Sequence, residues 1–244
     1  VILLPLGAFE QHGKHLPLKV DEFMANKIAI ESVNKSHDKN IKAVVAPVIW
    51  TGYSPHHMDF AGTISIKDET LTNLIIDIVE SLVKNKLERI LILNGHGGNI
   101  AILKNVGQKL KYDKNICIAT SSYWDFAMKE INDWRKSELG GINHACEMET
   151  ALMLHVEENI VKKNKIEDNP LKRSPYTGVD LLSGGAVGVS ASFKELSPHG
   201  VIGSPSLATK ERGAQLFDII TDKISDFICD FSTWKKPLNG NNDK

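Results

Sequence analysis

Two short aliphatic runs, residues 1–4 and 90–93, each lead directly into metal-ligand residue types. The first is followed by Glu10, His12 and Asp21, the second by Asn94-Gly95-His96-Gly97-Gly98-Asn99. Glu10 and His12 are two positions apart, so in an extended segment they face the same way. A tight loop through Leu16-Pro17-Leu18 would fold Asp21 back towards them. Carboxylates mixed with imidazoles suit Zn²⁺, Mn²⁺ or Fe²⁺ better than Ca²⁺ or a thiolate cluster. The chemistry such a set supports is metal-assisted hydrolysis.

A third cluster spans His144 to Glu149. A helix advances about 100° per residue, which groups Ala145, Met148, Leu152, Met153 and Val156 on one side. Glu149 falls within that side, and a carboxylate on a buried face must be paired or bind a metal. Glu149 is therefore read as a metal ligand, with an ion pair to Arg or Lys as the plain alternative. Glu147 falls roughly opposite and reads as solvated or salt-bridged, with at most a weak catalytic role in orienting His144. His144 precedes the first turn and is read as a proton shuttle; capping the helix or lying on the surface would be its structural roles.

Around these groups, Gly97 and Gly98 would allow close backbone approach to a substrate. The loop they form is neither a Walker loop nor GxGxxG, so nucleotide binding is weakly indicated. His56, His57 and Asp59 sit on a polar loop over residues 51–62, where His57 would shape substrate specificity. Cys146 has no His-Asn/Asp arrangement around it and reads as a small packing residue. Ser190, Ser192 and Ser197 lack the G-x-S-x-G context of a serine hydrolase.

Elements that would position these groups alternate along the chain. The aliphatic runs read as buried parallel strands, and ligands bind at the carboxyl ends of such strands. A helix follows Val20, with Phe23, Ile28, Ile30 and Val33 as its apolar side. Residues 43–50 and 115–120 read as further strands. Asp68 would cap a helix whose stripe is Leu71, Leu74, Ile75, Ile78, Val79 and Leu82. Other helices begin at Ile100, cover residues 146–156 and lie within 208–231. Residues 178–203 are glycine-rich and read as an active-site loop. The expected fold is α/β, a three-layer α/β/α sandwich with a mostly parallel central sheet. Residues 1–234 would form one domain, and residues 235–244 a polar, disordered tail.

Composition narrows the classes. The chain has 244 residues and a net charge of −1, which favours neither nucleic acid nor an acidic membrane surface. No apolar run approaches the roughly 18 residues of a membrane span. Three widely spaced cysteines without CxxC fit a reducing cytoplasm. The chain opens inside an apparent strand without Met, so a short preceding segment is expected.

The segment from Leu4-Pro5-Leu6-Gly7-Ala8-Phe9-Glu10-Gln11-His12-Gly13 through Leu16-Pro17-Leu18 to Asp21 resembles the opening motif of the creatininase family. Asn94 to Asn99, Gly62-Thr63-Ile64-Ser65, His144-Ala145 with Glu149-Thr150, and Gly200-Val201-Ile202-Gly203 are similar to further blocks of that family, in order. The resemblance implies a hydrolase with two divalent metal ions per chain and a homo-oligomer, commonly a hexamer. It implies Glu10 and His96 on one metal, His12 on the other and Asp21 bridging. Creatininase proper carries an aromatic residue and a glutamate ligand at the positions of Gly97 and Gly98. Their absence removes an aromatic wall and one carboxylate, and Glu149 is the expected replacement. The expected reaction is attack of a metal-bridging hydroxide on a non-peptide C–N bond, in a cyclic amide or formamide. Hydrolysis of a keto-inositol or modified peptide, and non-catalytic binding of a phosphorylated ligand, are the alternatives.

Overall fold

The computed structural model describes residues 1–172 and 176–235. Four parallel strands form the central sheet: β1 (Ile2–Leu6), β2 (Val44–Val45), β3 (Ile90–Asn94) and β4 (Ala119–Ser122), in the order β2-β1-β3-β4. Helices cover both faces. Ile2, Leu4, Leu6, Ile90 and Ile92 pack against α2 (Asp68–Lys84) and α3 (Ile100–Lys114). Leu3, Leu91 and Leu93 point the other way, towards α1 (Val20–Asp38), α5 (Glu147–Glu157) and α7 (Lys210–Thr233). Burial on both faces is why the strands read as unbroken aliphatic runs rather than alternating ones. The expected α/β sandwich is observed.

The strand order places the functional residues. From β1 the chain crosses to β2 on one side, then returns past β1 to β3 on the other. That reversal opens a crevice beyond the carboxyl ends of β1 and β3, into which the Glu10 and His96 loops run. A second, antiparallel pair, β5 (Ile142–His144) with β6 (Ile202–Gly203), faces this crevice. The helix α4 (Met128–Trp134) precedes β5, and the short α6 (Phe193–Leu196) lies within the long loop that precedes β6. Among the described residues, no helix is long and apolar enough to cross a membrane.

Several boundaries differ from expectation. Within residues 43–50 only Val44–Val45 forms a strand, followed by an isolated bridge from Leu6 to Ile49. Pro5 and Pro47 each withhold a backbone N–H, and β2 lies at the sheet edge, where such losses are tolerated. Strand β4 begins at Ala119 rather than residue 115, because Asn115 adopts a left-handed conformation (φ 54°) that ends α3. Lys67 precedes α2, and Asp68 is its first residue without a side-chain cap bond. Ile30 of α1 points outward, while Met24, Ala25 and Ala29 join Ile28 and Val33 inside. Residues 236–244 of the expected tail lie outside the described residues.

Candidate metal centre

Glu10, His12, Asp21, His96 and Glu149 converge at the crevice, although they come from three separate stretches of chain. Gly95 makes one of these approaches feasible: a Cβ there would lie 2.5 Å from the Asp21 carbonyl oxygen. Its absence lets the loop after β3 settle on the first turn of α1, so that His96 meets Asp21. The loop itself is locked by amides. Asn94 accepts from His96 N (3.1 Å) and from Asn99 Nδ2 (3.1 Å), and Asn99 donates to the Gly7 carbonyl (3.0 Å). On the opposite wall, Ala145 adopts φ 49°, which turns the chain sharply from β5 into α5. That turn lets His144 and Glu149 face the same cleft.

Asp21 lies between the two histidines. Its Oδ1 is 3.0 Å from His12 Nε2 and its Oδ2 is 3.1 Å from His96 Nδ1. Glu10 Oε1 is 3.2 Å from His96 Nδ1, and Glu149 Oε1 is 3.8 Å from His12 Nε2. Besides Glu10–His12–His144 and Glu10–His56–His57, two ligand sets form around the central carboxylate, Glu10–Asp21–His96 and His12–Asp21–Glu149, each with its ligand atoms within 4.8 Å of one another. They share Asp21.

The protons decide what this arrangement requires. His12 Nδ1 is 3.1 Å from the Glu10 carbonyl oxygen, and His96 Nε2 is 3.0 Å from the Tyr53 carbonyl oxygen. A carbonyl only accepts, so each ring donates there and aims its other nitrogen at carboxylate oxygens. A lone pair facing a carboxylate is repulsive until a cation stands between them. Glu10 Oε1 and Oε2, His12 Nε2 and Asp21 Oδ2 are buried without a hydrogen bond. The titration follows the same logic. Burial alone would lower the histidines, but Asp21 with Glu149 holds His12 well above its usual range. Glu10 and Asp21 together push His96 up to about 10. Burial raises Glu10, against the pull of His96. Burial also opposes ionisation of Asp21, yet His12 and His96 bring it below the usual carboxylate range. Protons on His12 and His96 stand in for metal cations, and the donor set fits two divalent ions.

The flanking residues fall into different places. His144 is buried, with Nε2 2.7 Å from the Gln11 carbonyl oxygen and Nδ1 3.8 Å from Glu10 Oε1. Burial and the neighbouring His12 hold it well below the usual histidine range. His57 is buried and lines the cleft, with Nε2 3.1 Å from Glu10 Oε1. Asp59 is exposed and does not reach the cleft. Gly97 and Gly98 both line it. A Cβ on Gly97 would meet nothing within 4 Å, whereas one on Gly98 would lie 2.3 Å from the Tyr53 carbonyl oxygen and 2.5 Å from His96 Nε2. A side chain at position 98 would collide with these atoms, while the Glu149 carboxylate of α5 lines the same cleft. Cys146 is buried, and burial pushes its thiol well up, as a packing residue requires.

Glu147 is a correction. It is fully buried and turned away from the cleft, accepting from Lys136 N and Ser137 N (both 3.0 Å) and from Arg212 Nη2 (2.9 Å). It neither meets solvent nor touches His144. Its role is to join α5 to α7 through Arg212, whose guanidinium also stacks on Trp134 (4.3 Å). Arg212→Met should therefore leave metal content unchanged and lower unfolding stability by about 3 kcal/mol, since a buried carboxylate loses its partner. Urea unfolding checks this; a loss under about 1 kcal/mol would contradict the pairing.

The cleft has a volume of about 480 Å³. Trp124, Asn143, Leu181, Val189 and Phe193 also line it, and the sequence alone gives none of them a site role. The aromatic wall missing at Gly97 is thus supplied by Phe193, whose ring packs on His57 (4.1 Å), His144 (4.9 Å) and His56 (5.0 Å). Leu181, Val189 and Phe193 fall within residues 178–203, the loop expected to serve the site.

The chain matches, over residues 1–228, the creatininase family model described as creatinine amidohydrolase. It is 29% identical to the mycofactocin precursor peptide peptidase of Mycobacterium ulcerans, over 98% of this chain and 87% of that one. It is 27% identical to the creatinine amidohydrolase of Pseudomonas putida, over 93% and 88%. Two solved creatininases, one described as "Creatininase Mn" and one as a mutant of Zn-Zn type, align with TM-scores of 0.75 at 26% identity. Each alignment covers 93% of this chain and 89% of theirs. With the resembling motifs in order and the match extending over nearly the whole sequence, the chain belongs to the creatininase family of hydrolases.

Proposed function

We propose that the protein is a dinuclear metal-dependent amidohydrolase that cleaves a non-peptide C–N bond, in a cyclic amide or formamide, using Zn, Mn or Fe. The observation that carries this reading is the pair of imidazole nitrogens aimed at the two oxygens of Asp21, with His12 Nε2, Asp21 Oδ2 and both Glu10 oxygens buried and without a hydrogen bond. Glu10, Asp21 and His96 would hold one ion, and His12, Asp21 and Glu149 the other. A divalent pair supplies a Lewis acid and an activated water at neutral pH. The three carboxylates nearly balance such a pair, so the cleft is close to neutral. Among its described lining residues there is no Lys or Arg, so outside the metal cluster a phosphorylated ligand would meet no Lys or Arg side chain. That argues for hydrolysis over phosphorylated-ligand binding.

His144 carries the proton. Its Nδ1 faces the cluster, where it can accept a proton and return it to the leaving nitrogen. Phe193 and Trp124 exclude water from the substrate slot, and the main chain at Gly97 and Gly98 forms its floor, with His57 behind. A small-molecule substrate, a homo-oligomer and a cytoplasmic setting belong to the same proposal. A peptide C–N bond is the second reading, favoured by the similarity to the mycobacterial peptidase.

The test is metal content per chain in protein purified without chelator, beside Glu149→Ala. About two ions should fall to about one, because only the His12–Asp21 side loses a ligand. A screen of cyclic amides, formamides and modified peptides then separates the two readings. No bound metal, and none taken up from Zn²⁺, Mn²⁺ or Fe²⁺, would overturn the proposal.

A further inference from the structure

We infer that Gln11 is a positioning residue that assigns the protons on His57 and His144. Its side chain fixes His57 as the Nε2–H tautomer facing Glu10, and its main-chain carbonyl fixes His144 with a bare Nδ1 facing the cluster.

The orientation of the Gln11 amide is set by backbone groups whose roles are unambiguous. Gly13 N donates to Oε1 (2.9 Å), and Nε2 donates to the Gly200 carbonyl (3.2 Å). Nε2 also stands 2.8 Å from His57 Nδ1. An amide nitrogen only donates, so His57 Nδ1 accepts. A ring that accepts at Nδ1 is neutral and carries its proton on Nε2, the atom 3.1 Å from Glu10 Oε1. That proton removes His57 from the set of metal ligands, although its nitrogen comes as close to Glu10 as His96 does.

His144 is fixed by the other half of the same residue. Its Nε2 is 2.7 Å from the Gln11 carbonyl oxygen and must donate. Gln11 Nε2 lies 3.2 Å from the same atom, but both amide hydrogens are already committed to His57 and Gly200. With its one proton on Nε2, neutral His144 presents a lone pair at Nδ1. Partners beyond the ligands set tautomer and basicity in metal sites. One buried glutamine does so here for two rings on different elements. The catalytic consequence rests on the role proposed for His144; the tautomers do not.

The experiment is ¹⁵N magic-angle-spinning NMR on Zn²⁺-loaded, ¹⁵N-histidine-labelled protein, with His57 and His144 assigned through His57→Asn and His144→Asn. The wild type should show Nε2–H and bare Nδ1 for both. In Gln11→Glu the carboxylate can only accept, so His57 should switch to Nδ1–H while His144 keeps its wild-type signature. Turnover should fall roughly 10–100-fold, the range for such outer partners. Should Gln11→Glu not fold, Gln11→Met serves: with no donor present, His57 should become a mixture of tautomers. A wild-type His57 carrying Nδ1–H would make it a ligand and overturn the inference. So would an unchanged His57 signature in Gln11→Glu or Gln11→Met. If instead His144→Ala proves fully active while these tautomers are observed, the proposed reaction fails and the assignment stands.

Discussion

Asp21→Ala should release both metals and reduce turnover by roughly a thousandfold or more. Asp21 is the one residue with an oxygen towards each histidine, at 3.0 and 3.1 Å, so its loss leaves each ion two protein ligands. Lewis-acid stabilisation is worth several kcal/mol, and each ~1.4 kcal/mol is tenfold in rate. The loss should not come from unfolding. Asp21 lies in the first turn of α1, whose packing rests on Val20, Met24, Ala25 and Ile28. Asp21 with Glu149 holds His12, and Glu10 with Asp21 holds His96, above the usual histidine range. With Asp21 gone each ring keeps one carboxylate, Glu149 for His12 and Glu10 for His96, so neither is left without a partner. Elemental analysis beside a thermal melt checks this. A variant that keeps two ions per chain and full activity would rule out a shared bridging carboxylate. A metal-free variant that melts far below the wild type would call for Asp21→Asn, which keeps the shape and one oxygen.

How much of this was legible in the sequence depends on how local each relation is. The aliphatic runs announced β1 and β3, because a strand buried on both faces has no alternation to preserve. Ligand types directly after them then marked Glu10, His12, Asp21 and His96. The helical wheel put Glu149 on the cleft side and Glu147 opposite, where the salt bridge it allowed is made but the solvent is missing, for one reason. It assumes one buried face, but residues 147–154 of α5 are all buried, between the sheet side and α7. A carboxylate on the far side therefore met Arg212 instead of water. Glycine content marks residues 178–203 as an active-site loop, but nothing local singles out Phe193 within it or brings Trp124, just after β4, to the same cleft. Gln11 was passed over because it sits between two stronger ligand candidates, and its partners His57, His144 and Gly200 are distant in sequence. Pro5 and Pro47 were visible, and their effect on β2 follows from the missing N–H alone.

His144→Ala should lower kcat by about 10²–10⁴, the usual contribution of a positioned proton carrier, with both metals retained. The argument is geometric. His144 Nε2 is bonded to the Gln11 carbonyl, and its Nδ1 lies 3.8 Å from Glu10 Oε1. That leaves room for a proton acceptor beside the reacting centre without membership of either three-residue set built on Asp21. Its packing against His12 (4.2 Å) and Phe193 (4.9 Å) holds the ring in place. An alanine leaves space but no exposed charge, so metal affinity and fold should persist. Two ions per chain with greatly reduced turnover would therefore separate proton transfer from metal binding. If His144→Ala instead loses one ion, Nδ1 is a ligand of the Glu10–His12 group, and the proton must be carried by another residue facing the cleft. The neutral His56, held at about 4 by burial and by His96, is the first to examine. A fully active, metal-replete variant would leave the leaving group to be protonated by water alone, which would suit an already good leaving group rather than an ordinary amide.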